Sequence, residues 1–327
     1  MTMLDVLTLD LIQEAAVRIR PYVFRTPLIP YPLDDKTTLF VKPESLQSIG
    51  AFKIRGAFSL MTTLPKDTKG VVAHSSGNHA QAVARAAKVL GLKAVIVMPS
   101  DAPAVKRRRT EADGAEIVTV GPDSDERARM AAEIAERRGY VPVPPYDHPL
   151  IAAGQGTLAL EMMDDAKTLG RAVDRFYCPV SGGGLMSGCA VAVHARSPST
   201  EIIGVEPEDG DDTKRSLEAG TRVKVDPPKT IADGLRVRIP GEKTFEVLRR
   251  HVARVALVSD QELLSAMAWA LSELRLVLEP SGAASLAVAL REAKREKSPS
   301  VRGFGVVLSG GNVERERLED VVREGLP

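Results

Sequence analysis

The sequence predicts an α/β protein of two lobes, each an open, twisted, mostly parallel sheet flanked by helices, and three observations carry that prediction. From Gly70 to about Tyr140, short apolar runs alternate with helical patterns, the signature of a parallel sheet joined by right-handed crossovers. At 327 residues the chain exceeds a typical single domain. Several strand ends run into small loops of glycine and hydroxyl residues, which places a ligand crevice at the carboxyl edge of the sheet. The proline-rich stretch Val141 to Tyr146 suits a connector, because proline fixes φ and removes a donor. The expected division is 1–69 and 147–327 as a large lobe and 70–146 as a small one.

In chain order, Asp10 to Arg20 is an amphipathic entry helix that stops before Pro21. Thr38 to Lys42 is a strand, a loop follows to Gly50, and a helix-like segment opens at Lys53. Strands are expected at Gly70–His74, Ala94–Met98 and Glu116–Val120, with helices over Ala80–Val89, Ala104–Ala112 and Asp125–Arg137. Lys106, Arg107, Arg108 and Arg109 read as a solvated helix face. Beyond the connector come a helix at Leu150–Leu169 and strands at Arg175–Val180 and Glu201–Val205. Helices follow at Asp260–Leu274 and from Leu278 to about Arg295, and a last strand at Gly305–Leu308.

Composition narrows the function. With 44 basic and 43 acidic residues the net charge is +1, and only 4% of residues are aromatic, which disfavours nucleic-acid and membrane-surface binding. Cys178 and Cys189 have neither disulfide-framework nor metal-site spacing. No basic-then-apolar leader follows Met1 and no apolar run reaches the roughly 20 residues that span a bilayer. A cytoplasmic protein acting on a small molecule is expected.

The chemistry centres on Lys53. Set among Gly50, Ala51, Phe52 and Ile54, it is either one more solvated lysine or, if buried, an amine with a lowered pKa that can form a Schiff base. Ser75-Ser76-Gly77-Asn78-His79 joins a strand to a helix, where free N–H groups bind carboxylate or phosphate. Ser181-Gly182-Gly183-Gly184-Leu185 is a second such cradle, and Ser309-Gly310-Gly311-Asn312 ends the last strand. The acidic run Glu206 to Asp212 around Gly210 is open between a solvated loop and a hard-cation site.

Taken together, in order, Gly50-Ala-Phe-Lys-Ile-Arg-Gly-Ala57, Ser75-Ser-Gly-Asn-His79, Ala153-Gly-Gln-Gly-Thr157, Ser181-Gly-Gly-Gly-Leu185, Thr230-Ile-Ala-Asp-Gly234 and Ser309-Gly-Gly-Asn312 resemble the fold-type-II pyridoxal-phosphate enzymes. The similarity is to their serine/threonine dehydratase and serine racemase branch, with a tryptophan synthase beta-like fold. The resemblance implies pyridoxal 5'-phosphate on Lys53, which then serves as base at Cα. It also implies Phe52 near the ring, Asn78 on the phenolic oxygen, Ser181, Gly182, Gly183, Gly184 and Leu185 on the phosphate and Ser309 at the pyridine nitrogen. The substrate carboxylate would sit on Ser75, Ser76, Gly77, Asn78 and His79, with Arg127 as a further partner.

The implied reaction is β-elimination of water from a 3-hydroxy amino acid such as threonine or serine, giving a 2-oxo acid and ammonia. The cofactor phosphate is the family's usual proton donor to the leaving hydroxide. Ser76 would face the opposite side of Cα and makes racemisation available. The branch's divalent-cation site falls on Glu206, Gly210 and Asp212, implying magnesium or a similar ion, and its members imply a homodimer.

Ala51 and Ser48-Ile49 depart from the usual serine and proline-threonine, leaving a hydroxyaspartate open as substrate. No regulatory domain is expected after Asn312. Phe52-Lys53-Ile54-Arg55 disfavours β-replacement, and an intact Lys53 argues against a non-catalytic sensor.

Overall fold

The computed structural model describes residues 2–75, 77–102, 104–121, 124–296 and 301–325. Among them, ten strands form two sheets: β1 (Ile29–Pro32), β2 (Thr38–Pro43), β3 (Gly70–His74), β4 (Lys93–Pro99), β5 (Glu116–Val120), β6 (Val141–Pro142), β7 (Arg175–Pro179), β8 (Glu201–Pro207), β9 (Arg254–Val258) and β10 (Gly303–Leu308). One sheet runs β1-β2-β10-β7-β8-β9, the other β5-β4-β3-β6. Every pairing is parallel except β1 on β2.

The large sheet is buried on both faces. Phe176 and Cys178 of β7 and Val307 of β10 enter one core cluster, while Tyr177, Val306 and Leu308 enter the other. A strand that buries both sets of alternating side chains reads as an unbroken apolar run, as these do in the sequence. The helices Pro149–Thr168 and Gly184–Arg196 pack on the first face and Pro280–Arg295 on the second.

Two expectations need correcting. Val141 and Pro142 are not mere connector: they pair with Val71 and Val72 as the edge strand β6, where a proline's missing donor faces outward at no cost. Nor is the basic run simply solvated, for Lys106 is 3% exposed and Arg109 bonds Asn312. The sequence reading also lacks β1, β9 and the helices Glu242–His251 and Arg315–Gly325. β1 carries Pro30 and Pro32, which mask a strand pattern but suit an edge. Helix Gly184–Arg196 opens on a glycine, a poor helix former that suits a helix start packed against a neighbour.

Candidate active site

β2, β3, β7 and β10 all deliver their carboxyl ends to one region, and the loops that follow meet there. After β2, Gly50 turns the chain at φ +73, and a Cβ there would lie 2.6 Å from Asn312 Oδ1. Only glycine fits both demands. Helix Lys53–Met61 then starts, tied to the last loop by Phe52 N–H to Ser309 O at 3.1 Å and Gly311 N–H to Gly50 O at 2.8 Å.

Behind that helix start lies a buried ionic cluster. Arg55, fully buried, donates to both carboxylate oxygens of Glu44 and of Glu161 and to Thr157 Oγ1 at 2.8–3.0 Å. Lys42 bonds Glu161 at 2.6 Å. Two cations meet two carboxylates, so the charges cancel and the helix is fixed at its second residue beyond Lys53. The sequence offered Arg55 within its motif but no sign of these partners.

Lys53 is half-buried, and its Nζ donates to the Pro145 carbonyl at 2.7 Å and lies 5.2 Å from the Phe52 ring centre. Among the described residues no carboxylate pairs with it. Burial without counter-charge lowers its pKa to about 8, where a useful fraction is neutral amine at physiological pH.

The first cradle follows β3. Gly77 N–H donates to Ser75 Oγ at 3.1 Å, and helix Asn78–Leu90 begins next. Ser76 lies outside the described residues. The His79 side chain is buried and its Nε2 bonds the Val143 carbonyl at 2.8 Å, so that nitrogen serves the chain segment after β6 and the backbone N–H remains for a ligand. Burial, then the nearby charge of Lys53, lowers its pKa to about 3, so the ring is neutral and carries its proton on Nε2. Arg127 lies near enough to help depress the His74 pKa below its usual value, after the larger effect of burial.

The second cradle follows β7. Ser181 adopts a left-handed φ of +54 with its Oγ on Gly234 O at 3.0 Å, and Gly183 has φ +89. A Cβ on Gly182 would lie 2.4 Å from the Tyr146 ring, and one on Gly183 2.8 Å from Thr244 Oγ1. The glycines are therefore demanded on one side by packing, with Thr244 Oγ1 holding Gly182 O at 2.7 Å. Ser187 N–H takes the Gly183 carbonyl, and the earlier N–H groups of helix Gly184–Arg196, including Leu185, lack helical acceptors.

The last loop completes the region. Ser309 is buried with its Oγ 3.4 Å from Ser281 O. Asn78 Nδ2 donates to Glu279 at 2.5 Å, and its Oδ1 accepts from Asn312 Nδ2 at 2.8 Å. Sequence reading missed Glu279, Tyr146 and Pro145; an acid just before Pro280 and a helix was the one available signal.

Apart from this lies the acidic run. Glu206 ends inside β8 and caps helix Asp212–Ala219, accepting from Thr213 N–H at 3.1 Å and Lys214 N–H at 3.0 Å. Both Asp212 oxygens are buried without a hydrogen-bond partner among the described residues. Burial pushes Glu206 to about 7 and Asp212 to about 8. Gly210 sits on the turn between them, its N–H on Pro207 O at 3.0 Å. Two buried carboxylates, of which Asp212 lacks a donor, fit a hard cation.

A neutral-prone amine beside two helix starts rich in free N–H groups defines a site that can hold an anion-bearing aldehyde by an imine, on a two-sheet α/β frame. The model of the pyridoxal-phosphate dependent enzymes matches residues 19–310, and the chain belongs to that family. It is 40% identical to an L-threo-3-hydroxyaspartate ammonia-lyase of Saccharomyces cerevisiae over 94% of each chain. It is also 40% identical to a serine racemase of Schizosaccharomyces pombe over 95% of each. The crystal structure of a threonine deaminase of T.th. superposes with a TM-score of 0.88 at 43% identity, covering 94% of this chain and 99% of that one.

Proposed function

We propose that the protein is an ammonia-lyase that eliminates water from a 3-hydroxy amino acid, such as L-threonine or L-serine, to give a 2-oxo acid and ammonia. The observation that carries this is the Lys53 amine, held by one backbone carbonyl with no counter-charge among the described residues. When bound, pyridoxal phosphate supplies the electron sink that acidifies the substrate Cα–H. Lys53 would hold the cofactor and take the Cα proton. Phe52 would flank the ring, Asn78 would donate to its phenolic oxygen, Ser181 to Leu185 would hold its phosphate and Ser309 would meet its nitrogen.

Ser75, Gly77, Asn78 and the His79 N–H bind the substrate carboxylate, with Arg127 nearby, and the role of Ser76 rests on the resemblance alone. Residues 70–146 move as a closing unit that excludes water. Glu206, the Gly210 carbonyl and Asp212 would hold magnesium, supported by the orphaned Asp212 oxygens. No helix of the described residues is long and apolar enough to cross a membrane. A homodimer rests on the resemblance alone.

Racemisation is the second reading, favoured by the serine racemase relative. Incubation with each isomer of serine, threonine and 3-hydroxyaspartate, scoring 2-oxo acid and opposite enantiomer with and without magnesium, tests both. Oxo acid from one isomer set supports the lyase, and enantiomer without oxo acid replaces it with the racemase. Neither product, from protein carrying the cofactor's near-visible absorbance, overturns the substrate class.

A further inference from the structure

Lys106 projects from helix Ala104–Ala112, between strands β4 and β5 of the four-stranded sheet. Its ammonium reaches out of that sheet's own structure to two acids. It lies 2.5 Å from Asp233, in the loop that also touches Ser181, and 3.2 Å from Glu279, just before helix Pro280–Arg295. Its side chain and that of Glu279 are 4% and 3% exposed, so neither charge has water to fall back on. A Cβ on Gly77 would stand 3.7 Å from the Lys106 Nζ, so the ammonium also lies over the first cradle.

Glu279 in turn accepts from Asn78, whose carbonyl end is taken by Asn312. An asparagine amide has two N–H bonds and one oxygen. With Oδ1 and one N–H committed, the direction of the second N–H is fixed. Burial alone favours a protonated Glu279, whose carboxyl is held above its usual range, and the Lys106 charge opposes that. A protonated Glu279 could present its O–H to Asn78 in place of an acceptor and turn the amide over.

We propose that Lys106 is a positioning residue for the lysine site. Held between Asp233 and Glu279, it keeps the Glu279 carboxylate in place as the acceptor for one Asn78 N–H, so the other stays aimed at the cofactor ring. The inference rests on the reading that places Asn78 at the ring's phenolic oxygen. It assigns the helix Ala104–Ala112, one sheet away from Lys53, a part in setting cofactor binding.

The test compares Lys106→Met, Lys106→Arg and Lys106→Met/Glu279→Gln with Asn78→Ala. It reads the dissociation constant of pyridoxal phosphate from cofactor-free protein, the near-visible band of the loaded protein and the urea midpoint of the cofactor-free form. Lys106→Met is expected to weaken cofactor binding at least tenfold and to move the band in the direction Asn78→Ala moves it. Lys106→Arg should recover binding to within about threefold of the parent, because the charge returns. Adding Glu279→Gln to Lys106→Met should cost nothing further, since the neutral amide still offers Asn78 an acceptor.

A lower urea midpoint with binding and band unchanged overturns the proposal in favour of a merely structural strut. Should Lys106→Met not fold, Glu279→Ala carries the test: a band moved as in Asn78→Ala supports the proposal, and an unmoved band overturns it. If Asn78→Ala itself leaves binding and band unchanged, the placement of Asn78 at the ring fails and takes this inference with it. If Asn78→Ala is impaired while Lys106→Met is not, only the inference falls.

Discussion

Lys53 and Lys106 are both withdrawn from water near the start of a helix, and burial has made opposite things of them. Among the described residues Lys53 meets one carbonyl oxygen and no acid, and its pKa drops to about 8. Lys106 meets Asp233 and Glu279, and its pKa rises above that of a free lysine even though burial acts to lower it. Desolvation disfavours the charged form of any amine, and adjacent carboxylates outweigh that when they are close and themselves buried. Burial alone therefore makes a nucleophile, while burial with counter-charge makes a strut. Lys42, beside Glu161, lies between the two cases: burial still holds its pKa below normal despite the acid.

The comparison breaks most visibly at Lys53. Lys53→Ala should remove the near-visible band of the purified protein and lower turnover by about 10²- to 10⁴-fold, the range expected when a proton-transferring group is lost. Retention of the band would show the cofactor bound elsewhere.

Next in size is the charge-cancelled cluster behind the lysine. Arg55→Met strands Glu44 and Glu161 with only Lys42 to offset them, and should cost about 3–5 kcal/mol of stability in urea unfolding. A cost below about 1 kcal/mol would mean the cluster is not what fixes the Lys53 helix.

Chemical reactivity sharpens the contrast between the two lysines. Reductive methylation of cofactor-free protein, read by mass spectrometry, should label Lys53 about tenfold faster at pH 9 than at pH 7, since the neutral fraction of an amine of pKa about 8 rises by that factor. Lys106 should stay unlabelled over the same range. Equal labelling would erase the distinction.

The smallest effect concerns Ser181. Its left-handed backbone costs about 1–2 kcal/mol that glycine avoids. Its hydroxyl returns about 1 kcal/mol through Gly234 O. Ser181→Gly should thus change stability by about 1 kcal/mol or less.

Much of this was legible in the sequence because it is local. A strand followed by glycine and serine followed by an alanine-rich helix announces both cradles, and the apolar runs of β7, β8 and β10 announce a sheet covered on both faces. What was illegible is pairing at a distance. Nothing near Lys106 in the chain foretells Asp233 or Glu279, so a run of four basic residues looked like solvent-facing charge. The prolines around Val141 said connector, whereas the contacts make an edge strand and a strap: Val143 O holds His79, Pro145 O holds Lys53, and Tyr146 packs on Gly182. Similarly, the triple glycine suggested space for a phosphate, but Tyr146 and Thr244 occupy the space that side chains there would fill.

The same long-distance bonds set a timetable for the growing chain. Lys53 waits for Pro145, 92 residues later; Asn78 waits for Glu279, 201 residues later; and Ile49 waits for Asn312, 263 residues later. Because each closure must follow synthesis of its second partner, a ribosome-bound chain stopped before Asn312 carries the reactive amine without the amide that orders its surroundings. The surroundings of the lysine are therefore completed only once Asn312 has been made.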